Sequence, residues 1–179
     1  MTRPPVEPTR TGARIADLLL PTLARFTFAA VLMIYFWSSA MTKLGDGLSG
    51  LLRPSAGAYV QIFPRAMEAV SYDTSQLGWF HWAVVVAGMW AEFILPALIL
   101  IGLFTRLGAL AMIGFVIVQS LTDIVGHGMS DTKTLGALFD RFPDGVIMDQ
   151  RMLWIMVLLV LVIKGGGPLS VDRLIGWRY

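Results

Sequence analysis

The sequence predicts an all-α integral membrane protein, a four-helix bundle with a long, partly apolar loop between helices 1 and 2. Three observations carry this. Of 179 residues, 56% are hydrophobic and only 15% are charged, against about 45–50% and about 25% in a soluble domain. The apolar residues gather into four runs almost free of charge, each near the roughly 20 residues that cross a bilayer. Clusters of glycine, proline and polar residues separate the runs and stop helices.

Residues 1–20 are expected to form a mobile N-terminal segment and a surface turn. Thr2–Thr11 carries Arg3, Pro4, Pro5, Pro8 and Arg10 without periodicity. A single transmembrane domain then covers 21–174, followed by a tail at 175–179. Helix 1 is expected at 21–42, where Leu23–Met41 holds one charge, Arg25. Helix 2 is expected at 79–103, with Glu92 the one acid in Trp79–Phe104. The connection from Gly102 through Arg106 to Gly108 leads tightly into helix 3 at 107–127, which contains Asp123. Helix 4 is expected at 149–165, built on the wholly apolar Met152–Ile163. Gly165-Gly166-Gly167-Pro168 ends it, because glycine accepts the left-handed cap and proline cannot continue a helix. Ser170-Val171-Asp172-Arg173 then starts a short terminal helix. In the loop 44–78, Tyr59, Val60, Ile62, Phe63, Met67 and Val70 form an apolar stripe. That loop should lie on the bilayer, dip into it, or cover the bundle.

Charge and cysteine content exclude several functions. Fourteen Lys and Arg face twelve Asp and Glu, with no basic run, so nucleic acid is not a partner. The absence of cysteine excludes disulfides, thiolate catalysis, iron–sulfur clusters and Cys-based zinc sites. No Gly-rich phosphate loop, His-Glu-x-x-His helix or serine elbow occurs. Four crossings put both termini on one side with Arg106. That side has eight Lys and Arg, and the outer side six. The positive-inside rule then places the termini in the cytoplasm.

The ionisable residues within the spans are the candidate site. A charge at the bilayer centre costs at least about 2.5 kcal/mol, so Glu92 should face the bundle and find a partner. His81 lies eleven residues earlier, on the same face near the outer mouth. Gln119, Asp123 and His127 repeat every four residues along helix 3, and Tyr35, Ser39 and Thr42 form a stripe on helix 1. Three such stripes meet only if the outer half encloses a polar pocket. Glu92, Asp123 and His127 are therefore candidate catalytic residues. Tyr35, His81, Gln119 and Arg106 are candidate substrate-binding residues. Structural readings stay open: Glu92 as a packing residue, Asp123 and His127 as a helix-end pair, His81 as interfacial decoration beside Trp79 and Trp82. No metal site is expected. A bis-histidine haem needs His81 and His127 to face each other about a haem apart. A copper(I) site from Met148, Met152 and Met156 with His127 and Met129 competes with ordinary methionine packing.

The stretch from Ala91-Glu92 through Gly102-Leu-Phe-Thr-Arg106 to Leu110 resembles the central signature of the DoxX family of small four-helix membrane proteins. Arg25 with the ending Thr42-Lys43-Leu44 looks like that family's first helix, and Gly165–Asp172 is similar to its C-terminal ending. Arg25, Lys43, Glu92 and Arg106 match family positions. One departure is Asp149-Gln150-Arg151, where many members carry an acid near the start of helix 4. Another is the segment Ser49–Gly78, which is longer than in many relatives.

The resemblance implies an integral protein of the bacterial inner membrane tied to redox chemistry. Its relatives include those of the quinone-reducing subunit of thiosulfate:quinone oxidoreductase. On this reading the ligand is a quinone and the partners are a protein subunit and membrane lipid, with a homo-oligomer left open. On this expectation Glu92 carries protons, Tyr35 or His127 donates to a quinone oxygen, and electrons come from the partner. The alternative is a non-catalytic anchor or small-molecule-binding subunit.

Overall fold

The computed structural model describes residues 10–177. The expected mobile stretch before Arg10, together with Arg178 and the end of the expected tail, lies outside the described residues. Every regular element described is helical. Four helices are long and apolar enough to cross a membrane: Ile15–Lys43, Trp79–Ile101, Thr105–Gly126 and Val146–Lys164. They are the first to fourth helices below. The ends at Arg10, Ile101, Thr105 and Lys164 form the termini end, and the other is the far end.

The first helix is longer than its hydropathy suggests. It runs from Arg10 past Pro21 and through a π-helical segment, Ala29–Met33, to Lys43. The expected surface turn is thus continuous with the crossing. Proline costs one backbone hydrogen bond, but Pro21 is fully buried and the flanking turns hold. The fourth helix starts early because Val146–Arg151 adds π-helical turns. The third likewise ends in a π-helical segment, Thr122–Gly126. Ser170 caps the short helix Val171–Leu174 as its residue type predicts, its hydroxyl accepting from the Arg173 amide.

Each crossing buries one narrow stripe. The first buries Leu32, Phe36, Ala40 and Lys43; the second buries Val85, Met89, Glu92, Pro96 and Ile99; the fourth buries Ile147, Arg151, Leu158 and Leu161. Steps of three and four keep each stripe on one face of its helix. The central layer stacks Phe28, Leu32 and Phe36 against Ile99, Met112, Val116, Leu158 and Leu161. Only 22–28% of each apolar window is buried within the protein, so most of the apolar surface is left for acyl chains. Between such helices close packing, rather than expulsion of water, provides the attraction.

Of the three dispositions open to the loop between the first and second helices, the structure takes the cover over the bundle. Helices Ala56–Ile62 and Pro64–Ala69 fold back on the second helix. Ala58, Tyr59, Met67 and Val85 form a second core, with Val60, Ile62 and Phe63 around it. Val70, also in the expected stripe, stays outside this core. Indole N–H groups pin the loop: Trp82 donates to the Leu52 carbonyl at 2.8 Å and Trp90 to the Leu51 carbonyl at 3.0 Å.

At the termini end, Gly102 closes the second helix in the left-handed region, at φ 70°. A Cβ there would sit 2.6 Å from Ser170 Cβ and 2.9 Å from Arg25 Cζ. Gly102→Ala therefore combines a left-handed alanine with an overpacked contact. It is expected to cost about 2 kcal/mol or more. The thermal midpoint in detergent should fall by roughly 5 °C with helicity retained; an unchanged midpoint would contradict the packing described.

Candidate functional site

The Glu92 carboxylate points into the bundle, and its partner comes from the first helix. Lys43 Nζ donates to Oε2 at 2.9 Å and to Oε1 at 3.1 Å. Ser39 Oγ donates to Oε1 at 3.0 Å and accepts from Lys43 at 2.7 Å. Lys43 and Glu92 are each only 3% exposed, so lipid and water are both excluded. Lys43 sits at the helix end and reaches inward, which lets its backbone stay near the far surface. The cover loop seals it, the Ser55 amide donating to the Lys43 carbonyl at 3.0 Å. Pro96 lies four residues beyond Glu92 and cannot donate to the Glu92 carbonyl, which loses its helical partner there.

Two further sets of polar contacts, one between the first and third helices and one between the third and fourth, lie apart from Glu92. Arg151 donates to Asp123 Oδ2 at 2.7 Å and to Ser120 Oγ at 3.0 Å. Arg151 is 4% exposed, and its Nε has no partner among the described residues. Gln119 Nε2 donates to the Tyr35 hydroxyl at 3.0 Å, while Gln119 Oε1 is buried without a partner. The Tyr35 ring lies 5.4 Å from that of Trp154 and 5.0 Å from that of Phe36.

The expected single pocket is therefore divided, and the Glu92 set is separate from the contacts of Tyr35 and Arg151. Buried Phe36 lies between them on the first helix, with Phe115 and Trp154 against it at 6.0 and 6.1 Å. Tyr35 turns to the third helix and Ser39 to the second. The helix 3 stripe also splits. Gln119 meets Tyr35, Asp123 meets Arg151, and His127 is hydrogen-bonded to the Gln61 carbonyl in the cover at 3.0 Å, its ring N–H donating. The structure does not form the helix-end pair between Asp123 and His127, because Arg151 takes the carboxylate. His81 is not drawn to Glu92; it packs edge-on against Phe63 at 4.8 Å, with Nδ1 buried and unpartnered. Both histidines thus serve contacts to the cover. Among the described residues no three His, Cys, Asp or Glu side chains converge as a metal site.

Arg106 lies at the termini end, apart from the other six candidates. It lines a cleft with Lys164, Gly165–Gly167 and Arg173. Beside that cleft, Arg25 gathers the ends of two helices. Its Nε donates to the Ile99 carbonyl at 3.0 Å, Nη1 to Gly166 and Leu169 at 2.9 Å each, and Nη2 to Leu100. Asp172 accepts from the Phe104 and Thr105 amides and the Thr105 hydroxyl at 2.7–2.8 Å, which caps the third helix.

The residues thus arranged at both ends can be set against known families. A DoxX family model matches residues 20–123, more than half of the chain. The chain belongs to the DoxX family. The match takes in Arg25, Lys43, Glu92 and Arg106 and ends at Asp123; the glycine-rich ending at Gly165–Asp172 lies beyond it. No curated protein and no solved structure matches the chain. In this DoxX protein the family-like positions do two distinct jobs. Lys43 and Glu92 join the far end of the first helix to the middle of the second, and Arg25 joins three chain segments at the termini end.

Residue spacing did not reveal Ser120 and Arg151. Arg151 counts as a loop charge by sequence, yet it stands three residues before Trp154 and seven before Leu158, on the buried stripe of the fourth helix. That register was the available signal. Asp149, two residues before Arg151, accepts from the Gly145 amide at 2.7 Å.

Proposed function

We propose that this DoxX protein is a subunit of a membrane redox complex and holds a quinone headgroup at Tyr35 and Gln119. The single observation behind this reading is the Tyr35–Gln119 pair. It lies within the spans, beside the Trp154 ring, with Tyr35 42% exposed toward lipid. Whichever way the Gln119 amide faces, the pair keeps one N–H or O–H donor to spare. A quinone supplies the complement: carbonyl acceptors on a flat ring that stacks on aromatics, and a tail that stays in the bilayer. Reduction takes up two electrons and two protons. Electrons must come from a partner protein carrying a redox centre. Asp123, 22% exposed, joined to Arg151 and one turn beyond Gln119 on the third helix, is the carboxylate for proton exchange. Glu92, closed off by Lys43 and Ser39, takes the structural role on this reading and holds the helices in register.

The bacterial inner membrane with cytoplasmic termini belongs to the same proposal. Burial supports the orientation. Lys43 and Arg151 are drawn into the bundle, so four of the six outer cations remain in loops. On the termini side, among the described side chains, Arg106, Lys164 and Arg173 stay exposed.

The test is quenching of tryptophan fluorescence by a short-tailed benzoquinone in detergent. Tyr35→Phe and Gln119→Leu are each expected to weaken binding about five- to tenfold, as loss of one hydrogen bond implies. Equal affinity in wild type and both variants would remove the quinone site. The second reading, a non-catalytic anchor, is favoured by the closure of the Glu92 network. It predicts that Tyr35→Phe leaves the turnover of the assembled complex untouched.

A further inference from the structure

The cleft at the termini end has a volume of about 850 Å³ and takes no part in the quinone reading. The start of the third helix, the end of the fourth and the short terminal helix wall it. Three cations face it: Arg106, Lys164 and Arg173. Both of its acids have partners. Asp17 pairs with Lys164 at 2.8 Å, and the Asp172 carboxylate caps the third helix. Arg106 and Arg173 hold no ion pair among the described residues. Two guanidinium groups thus line one cleft without a salt-bridge partner of their own among the described residues.

The apolar surroundings say what kind of anion fits. Phe104 and Trp177 form an edge-on aromatic pair at 4.5 Å on the cleft wall, the kind of pair that sits at headgroup depth. Leu107 lines the cleft and is 65% exposed; Leu110, one turn deeper, is 55% exposed. The cationic floor therefore runs directly onto a lipid-facing helix surface. A free anion would use only the first of these features, whereas a lipid uses both.

We propose that this cleft binds the phosphate headgroup of an anionic phospholipid, with Arg106 and Arg173 as its ligands and Leu107 and Leu110 beneath its acyl chains. Guanidinium groups suit the task, since each offers a planar fork of donors to two phosphate oxygens. Arg106 then acts as a lipid-anchoring residue, apart from the Tyr35 site.

The experiment is native mass spectrometry of the full chain, released from micelles doped with phosphatidylglycerol or phosphatidylcholine. Wild type is expected to retain phosphatidylglycerol in clear preference. Arg106→Gln and Arg173→Gln should each lower that retention about threefold, and the pair about tenfold. Arg53→Gln with Arg65→Gln, two exposed cations at the far end, should leave it unchanged. All four positions are exposed, and the single variants carry the test if the double variant folds poorly. Equal retention of the two lipids by wild type would overturn the proposal, as would unchanged retention in both single variants. Displacement of the lipid by millimolar inorganic phosphate would overturn the assignment to a lipid.

Discussion

Lys43→Met is expected to lower the thermal midpoint of the detergent-solubilised protein by roughly 10 °C and to cut the folded yield. The substitution keeps the length of the stem and removes the ammonium. Glu92 is then left in a site 3% exposed, with the Ser39 hydroxyl as its remaining partner. Removing one member of a buried pair costs about 3–5 kcal/mol, and each kcal/mol shifts the midpoint of a chain this size by about 2–4 °C. The double variant Lys43→Met with Glu92→Leu should recover most of the loss, because replacing both members with apolar groups is often close to neutral. A double variant no better than the single one would show that the two residues do not act as a unit. The same pair of variants separates the roles open to Glu92. Quinone binding retained in the double variant fits a carboxylate that registers two helices. Turnover lost with binding and assembly intact would return it to proton transfer.

Arg25→Met is expected to cost about 3 kcal/mol or more, and a comparable loss in midpoint. One guanidinium satisfies four carbonyls, of Ile99, Leu100, Gly166 and Leu169. Two belong to the last turn of the second helix, where a cation also complements the helix dipole. The other two hold the chain beyond the fourth helix. Arg25→Lys should recover only part of the loss, since an ammonium is a point donor and cannot span acceptors on separate segments. Hydrogen exchange gives the local reading. Amides of Val171–Leu174 should open well before those of the core, because that short helix is tied down through Asp172 and the segment Arg25 holds. Uniform protection in Arg25→Met would contradict this.

The four crossings were legible in the sequence because a bilayer leaves the chain little choice. Backbone groups in hydrocarbon must be satisfied within the segment, so long apolar runs become helices whatever they pack against. The inward aspect of Glu92 followed in the same way from the cost of exposing a charge to lipid. The apolar stripe of the cover loop was also visible, although three dispositions were open to it. Helix ends were less legible. Pro21 did not stop the first helix, and π-helical turns at Thr122–Gly126 and Val146–Arg151 moved the ends of the third and fourth.

The sequence by itself determined the class, the number of crossings and which carboxylate had to be sheltered, because each depends on the solvent and on local period alone. Tertiary structure decided the partners. Spacing along one helix places Gln119, Asp123 and His127 on a stripe, but a π-helical turn rotates the face it interrupts, and the three reach three different neighbours. Lys43 and Arg151 read as loop cations until the fold draws them inward. Pairing of this kind is a long-range property: it depends on which helix stands beside which, and no local pattern carries that information.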